Sequence, residues 1–266
     1  MKLATLIKEK LKTILFKRNL QIISITNKSS LETFFTSIKP VSTNYRLIRI
    51  GGESDGGYLI PDDLEGIKIC FSPGVSTVTD FESDMAKRGM TCFLADYSVP
   101  APPSHNQSFH FEKKYLGQAN NSVYTTLEKW VERNAPQQKD FILQMDIEGS
   151  EYGVILDTDA EILRKFRILV VEFHKIDNLT SRLGFELINL TFEKLLRDFV
   201  VVHIHPNNYS KPIQYLGYLI PPVMEFTFLR KDRILHSHPT MHFPHPLDRK
   251  NIAEKDDVPL PTCWYS

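Results

Sequence analysis

The stretch Phe141–Glu151, FILQMDIEGSE, decides the fold. Its apolar run, Phe141–Met145, is continuous rather than alternating, which predicts a strand buried on both faces. The run breaks off at Asp146, Ile147, Glu148 and Gly149, and Ser150 and Glu151 open a helix. Two carboxylates at the carboxyl end of a central strand are costly to bury without a task. Ligands of open α/β sheets bind in the crevice outside such strand ends. The cleft is therefore expected beside Asp146 and Glu148.

Toward the amino terminus, Ile67–Phe71 is a short apolar strand, followed by Ser72, Pro73, Gly74, Val75 and Ser76. A helix comes next. Thr79 and Glu82 have capping-box spacing, Val78, Phe81 and Met85 line one face, and Gly89 stands where a C-terminal cap belongs. Thr91–Leu94 is the next strand, ending in Ala95 and Asp96. Asp96 follows the loop by about 20 residues, the place of a ribose-binding acid in a nucleotide-binding βαβ unit. A solvated strand-end acid is its other reading. The loop has one glycine and no GxGxxG, so a pyrophosphate cradle is disfavoured. That weighs against NAD or FAD and toward a phosphate-free ligand such as S-adenosylmethionine. Earlier still, Tyr45–Ile60 reads as a hairpin whose glycine pairs mark turns.

Toward the carboxyl terminus, Ile168–Val171 is a strand running into Glu172, Phe173 and His174, so a second acid and a histidine should face the same edge. Leu183–Leu196 is an amphipathic helix, and Val200–Val202 a strand followed by His203 and His205. Leu216–Ile220 and Val223–Leu229 form an expected antiparallel pair. Strands alternating with helices predict an α/β fold. Its expected form is a Rossmann-like, mostly parallel sheet with a terminal antiparallel pair and helices on both faces. The expected organisation is an N-terminal helical extension over 1–44, the domain over 45–230, and an irregular tail over 231–266 packed on the domain.

Composition narrows the partners. The 266 residues carry 32 basic and 32 acidic side chains, a balance that argues against a nucleic-acid-binding surface. Three cysteines make no disulfide framework and fit a reducing, cytoplasmic compartment. No apolar run approaches the roughly 20 residues that span a bilayer. Met1–Arg18 is a basic amphipathic helix with Leu3, Ile7, Leu11 and Ile14 at helical spacing. It is read either as docked on the domain or another subunit, or as lying on the inner face of a membrane.

Six motifs occur in order: DGGYLIPDDL (Asp55–Leu64), FSPGVSTVTDFE (Phe71–Glu82), LQMDIEGSE (Leu143–Glu151), LVVEFH (Leu169–His174), HIHPNN (His203–Asn208) and PVMEFTFLR (Pro222–Arg230). Together they resemble the FkbM-type methyltransferases from Tyr45 to Arg230. The resemblance implies methyl transfer from S-adenosylmethionine, usually to a hydroxyl oxygen. It implies that Ser72, Gly74 and Ser76 line the methionine end of the cofactor and that Asp96 binds the ribose. Asp146 and Glu148 would lie under the sulfonium and the acceptor. Ser72-Pro73-Gly74 departs from the acid and multiple glycines of the commonest methyltransferase loop.

Methyl transfer to oxygen needs alignment and removal of the hydroxyl proton. His174, Asp146 and Glu148 are the candidate bases, with His174 first because its unperturbed pKa lies near neutrality. A hydrogen-bonded structural histidine is the competing reading. Asp146, Glu148, Glu172, His174, His203 and His205 also offer ligands for Mg²⁺, although their spacing matches no compact metal motif. The expected activity is O-methylation of a sugar, glycan or other polyhydroxylated acceptor. A nicotinamide-dependent oxidoreductase and a non-catalytic interaction module are the alternatives.

Overall fold

The computed structural model describes residues 2–266; Met1, where the expected N-terminal helix starts, lies outside the described residues. Helix α1 (Lys2–Phe16) leaves Ile7, Leu11, Ile14 and Phe16 exposed. The chain rejoins the body where Ile25 bridges to Ser181. Helix α2 (Lys28–Ser37), capped by the Asn27 side chain on the Ser30 amide, buries Leu31, Phe34 and Phe35.

The expected hairpin forms from β1 (Leu47–Ile50) and β2 (Tyr58–Pro61). The central sheet then takes β3 (Ile69–Pro73), β4 (Thr91–Ala95), β5 (Phe109–Glu112), β6 (Phe141–Met145), β7 (Phe166–Phe173), β8 (Phe199–Pro206) and β9 (Met224–Arg230). Their spatial order is β8-β9-β7-β6-β3-β4-β5. All neighbours are parallel except β9, which runs antiparallel to both β7 and β8. The fold is thus a Rossmann-like α/β sheet closing in an antiparallel pair, β8 with β9. The partner expected for β9 is different: Leu216–Ile220 stays outside this sheet. Tyr218–Ile220 turns back on Ile213–Tyr215 instead, through Leu216 and Gly217, both at positive φ. Two successive left-handed residues make the tight turn that closes a two-residue hairpin.

Helices cover both faces. Phe71, Phe93, Leu143 and Met145 join α2, α4 (Leu127–Asn134), α5 (Glu151–Asp157) and α6 (Arg182–Asp198) in one core. Their neighbours Cys70, Cys92, Leu94 and Ile142 join the hairpin and α3 (Asp80–Lys87) in the other. A strand's period of two divides each apolar run between two layers. The tail contributes Trp264, fully buried against Phe35 and Phe226. Ser237–Pro239 pairs with Val41–Thr43. No helix among the described residues is long and apolar enough to cross a membrane.

The capping box expected at Thr79 does not form. Thr79 Oγ1 meets Ser104 Oγ at 2.7 Å, and Glu82 turns inward to Ser72. Gly89 ends α3 at φ +81°, as its position requires.

Candidate active site

The direction of the chain's crossovers reverses between β3 and β6: β4 and β5 follow on one side, β7 on the other. The loops after β3 and β6 therefore part to leave the crevice of a doubly wound sheet. They touch at one point. Gly74 has φ +88°, and a Cβ there would run into the backbone carbonyl of Asp146. Only glycine lets the two strand ends approach this closely.

From this contact opens a cavity of 410 Å³ lined by Gly74, Ser76, Asp96, Tyr115, Asp146 and Glu148, among others. Its size is that of a small-molecule site. At one end, β4 delivers Asp96. Its Oδ2 accepts from the Ser76 amide at 2.8 Å and its Oδ1 from the Ser98 amide and hydroxyl at 2.7 Å. The carboxylate is thus fixed in orientation by the glycine loop it faces. Tyr97, Tyr115 and Tyr124 form a half-exposed aromatic row, with ring centroids 5.3 and 5.7 Å apart. The tyrosines stand beside Asp96 through the short parallel pairing of Tyr115–Leu116 with Tyr124–Thr125. Nothing in their spacing marks them out in the sequence.

At the other end, β6 and β7 deliver Asp146, Glu148 and His174. Glu148 sits at φ +56° and Gly149 at φ +101°. A non-glycine residue in the left-handed region is held there by its surroundings, here by Glu151 in the first turn of α5. Glu151 is fully buried, and its Oε1 accepts from the amides of Ile147 at 3.1 Å and Gly149 at 3.0 Å. The same oxygen meets His174 Nδ1 at 3.1 Å. An acceptor carboxylate makes Nδ1 the donor, so the other ring nitrogen, Nε2, faces the cluster. Nε2 lies 3.4 Å from Glu148, 3.7 Å from Glu172 and 3.8 Å from Asp146. The Tyr152 hydroxyl donates to the His174 carbonyl at 2.8 Å and fixes the backbone.

Electrostatics follow from this crowding. Burial pushes the Asp146 carboxyl up to about 7; His174 opposes the shift, and the charges of Glu148 and Glu151 add to it. Burial, with Asp146 and Glu225 nearby, also pushes Glu172 well above the carboxylate range. For His174, burial favours the neutral ring, but the hydrogen bond and charge of Glu151 outweigh it and hold the pKa above the ordinary value. Behind the cluster, Asn207 Nδ2 donates to Glu172 and Asn251 Nδ2 to Glu225.

The structure thus brings Gly74, Ser76, Asp96, Asp146 and Glu148 to one cavity, with His174 against its acid end. Ser72 lies beneath it, fully buried between Glu82 and Gln144. Burial pushes Glu82 up to about 7, against the opposing Ser72 hydrogen bond. Of the six side chains offered as metal ligands, His203 and His205 stand apart. Both are inside β8 and face Asp248 of the tail, at 2.8 and 3.8 Å. Glu151 carries more of the site than its sequence position suggests; the one clue is an acid opening a helix directly after DIEG.

A family model described as the methyltransferase FkbM domain matches residues 76–199. No curated protein matches the chain. Among solved structures, a proposed RNA methyltransferase from Pyrococcus horikoshii is similar at 11% identity, with a TM-score of 0.33, covering 77% of this chain and 98% of that one. The 23S rRNA methyltransferase ErmE is similar at 8% identity, with a TM-score of 0.33, covering 80% of this chain and 72% of that one. The family match begins at Ser76 in the loop after β3 and takes in Asp96, the Asp146–Glu151 turn and His174, so this part of the chain, a little under half of it, is similar to an FkbM methyltransferase domain.

Proposed function

We propose that the chain transfers a methyl group from S-adenosylmethionine to a hydroxyl oxygen of a sugar, glycan or other polyhydroxylated acceptor. The observation that carries this reading is one cavity with a fixed ribose-type acid at one end and a histidine–carboxylate cluster at the other. The cofactor, when bound, supplies a methyl carbon on a sulfonium leaving group. Asp96 would hold the ribose hydroxyls, Tyr115 and Tyr124 offer ring faces to the adenine, and the Gly74–Ser76 backbone would border the methionine end. Asp146, Glu148 and His174 would align the acceptor oxygen and take up its proton. When ionised, their carboxylates accept hydrogen bonds and donate none, which suits an acceptor rich in hydroxyls. The balanced charge of the chain supports such an acceptor over a nucleic acid.

Calorimetric titration tests the cofactor half. Wild-type protein is expected to bind S-adenosylmethionine in preference to NAD, and Asp96→Ala to lose at least about tenfold in affinity, the cost of one to two charge-assisted hydrogen bonds. Equal affinity in the variant rejects the site. Transfer of a labelled methyl group across a panel of polyols and glycosides tests the acceptor half.

A further inference from the structure

We propose that Asp146, Glu148 and His174 bind a hard divalent cation of the magnesium or manganese class at the carboxyl ends of β6 and β7. One ligand atom from each of the three residues lies within 4.8 Å of the others. The separations from Nε2, 3.4 Å to Glu148 and 3.8 Å to Asp146, are too long for hydrogen bonds. They fall between the spacings of adjacent and opposite ligands around one small octahedral cation, about 3 and 4 Å.

The donor chemistry agrees. Nδ1 is committed to Glu151, which leaves Nε2 to present its lone pair to the carboxylate oxygens. A carboxylate behind a histidine is the usual outer shell of a metal-bound imidazole. Two buried oxygens at this spot, Asp146 Oδ1 and Glu172 Oε2, have no hydrogen-bond partner. Glu172 is 4% exposed, and its Oε1 lies 3.7 Å from the same Nε2. Buried polar atoms are rarely left unpaired. A carboxylate-rich set with a single nitrogen favours magnesium or manganese over softer metals. The left-handed turn at Glu148 also gains a purpose, since it carries that carboxylate over the imidazole. Three protein ligands leave coordination positions open for oxygens of an acceptor; that role rests on the methyl-transfer reading, whereas the site itself does not.

The test is titration of the chelator-treated full chain with Mn²⁺, followed by the paramagnetic resonance of the free ion, without cofactor or acceptor. A failure of the cofactor reading then leaves the result untouched. One Mn²⁺ per chain is expected, displaced by excess Mg²⁺. Glu148→Gln removes a ligand whose side chain is 85% exposed, so folding is preserved and affinity alone is read. That variant and His174→Gln are expected to bind Mn²⁺ at least tenfold more weakly, and Glu151→Gln to lose about tenfold through the outer shell. Absence of Mn²⁺ binding at millimolar concentration, or unchanged affinity in both Glu148→Gln and His174→Gln, overturns the site.

Discussion

Gly74 and Glu148 do similar work with opposite means. Gly74 reaches its left-handed conformation freely and gives up its side chain so that two loops can touch. Glu148 pays a conformational penalty and keeps its carboxylate at the cavity. Gly74→Ala combines a positive φ with a backbone collision, so it should destabilise the fold by about 2 kcal/mol or more; urea unfolding measures this. A loss under about 0.5 kcal/mol, the range of an ordinary surface substitution, contradicts the close approach. At this scale the sequence was legible where chemistry and spacing coincide. Asp96 stands at the end of its strand facing the glycine loop, and Asp146 and Glu148 mark the break of a buried run. Glu151 and the tyrosines were not legible. Their roles depend on hydrogen bonds and ring contacts between segments that local pattern does not encode.

Among the elements, buried strands were the most readable, because an unbroken apolar run permits few alternatives. Two places depart from their sequence pattern for tertiary reasons. Glu82 is drawn from the expected cap into the Ser72–Gln144 network. Leu216–Ile220 closes locally on Ile213–Tyr215, leaving β9 to find β8 and β7. Helix α1 leaves apolar surface exposed: Ile7, Leu11 and Ile14 form a stripe. By helical spacing Lys8 and Lys12 border it on one side and Lys10 on the other. Lysines beside such a stripe can extend toward anionic headgroups while the stripe enters the interface. At 15 residues the helix is too short to span a bilayer. Removing residues 2–18 is expected to abolish sedimentation with vesicles containing phosphatidylserine while leaving affinity for S-adenosylmethionine unchanged. A truncated chain that still sediments equally rules out this contact; one that changes oligomeric state points to a second copy as the stripe's partner.

For the whole molecule, the tail is secured by a buried ionic clip. Asp248 accepts from His203 Nε2 at 2.8 Å, with His205 3.8 Å from the same oxygen. Although burial favours the neutral ring, contact with Asp248 and the charge of Glu225 push His205 up to about 9. Burial would raise Asp248, but His203 and His205 hold it far below the carboxylate range. The signs differ. The His205 contribution is complete below pH 6.5 and is lost as pH rises through about 9; the Asp248 contribution is complete above pH 3.8 and is lost in stronger acid. Urea unfolding should therefore show stability falling between pH 6.5 and 9 by on the order of 2 kcal/mol. Asp248→Asn should flatten that slope, and an unaltered slope would show the clip to be energetically idle.

The position of β9 also sets an order of events during synthesis. The strand inserts between β7 and β8, both of which precede it in the chain. Until residue 230 has left the ribosome, β7 keeps one side unpaired, a row of open amides and carbonyls flanked by apolar side chains. Such an edge invites pairing with other chains. A nascent chain stalled before residue 224 is thus a ready client for chaperones, and one of the last strands made completes the wall that carries His174.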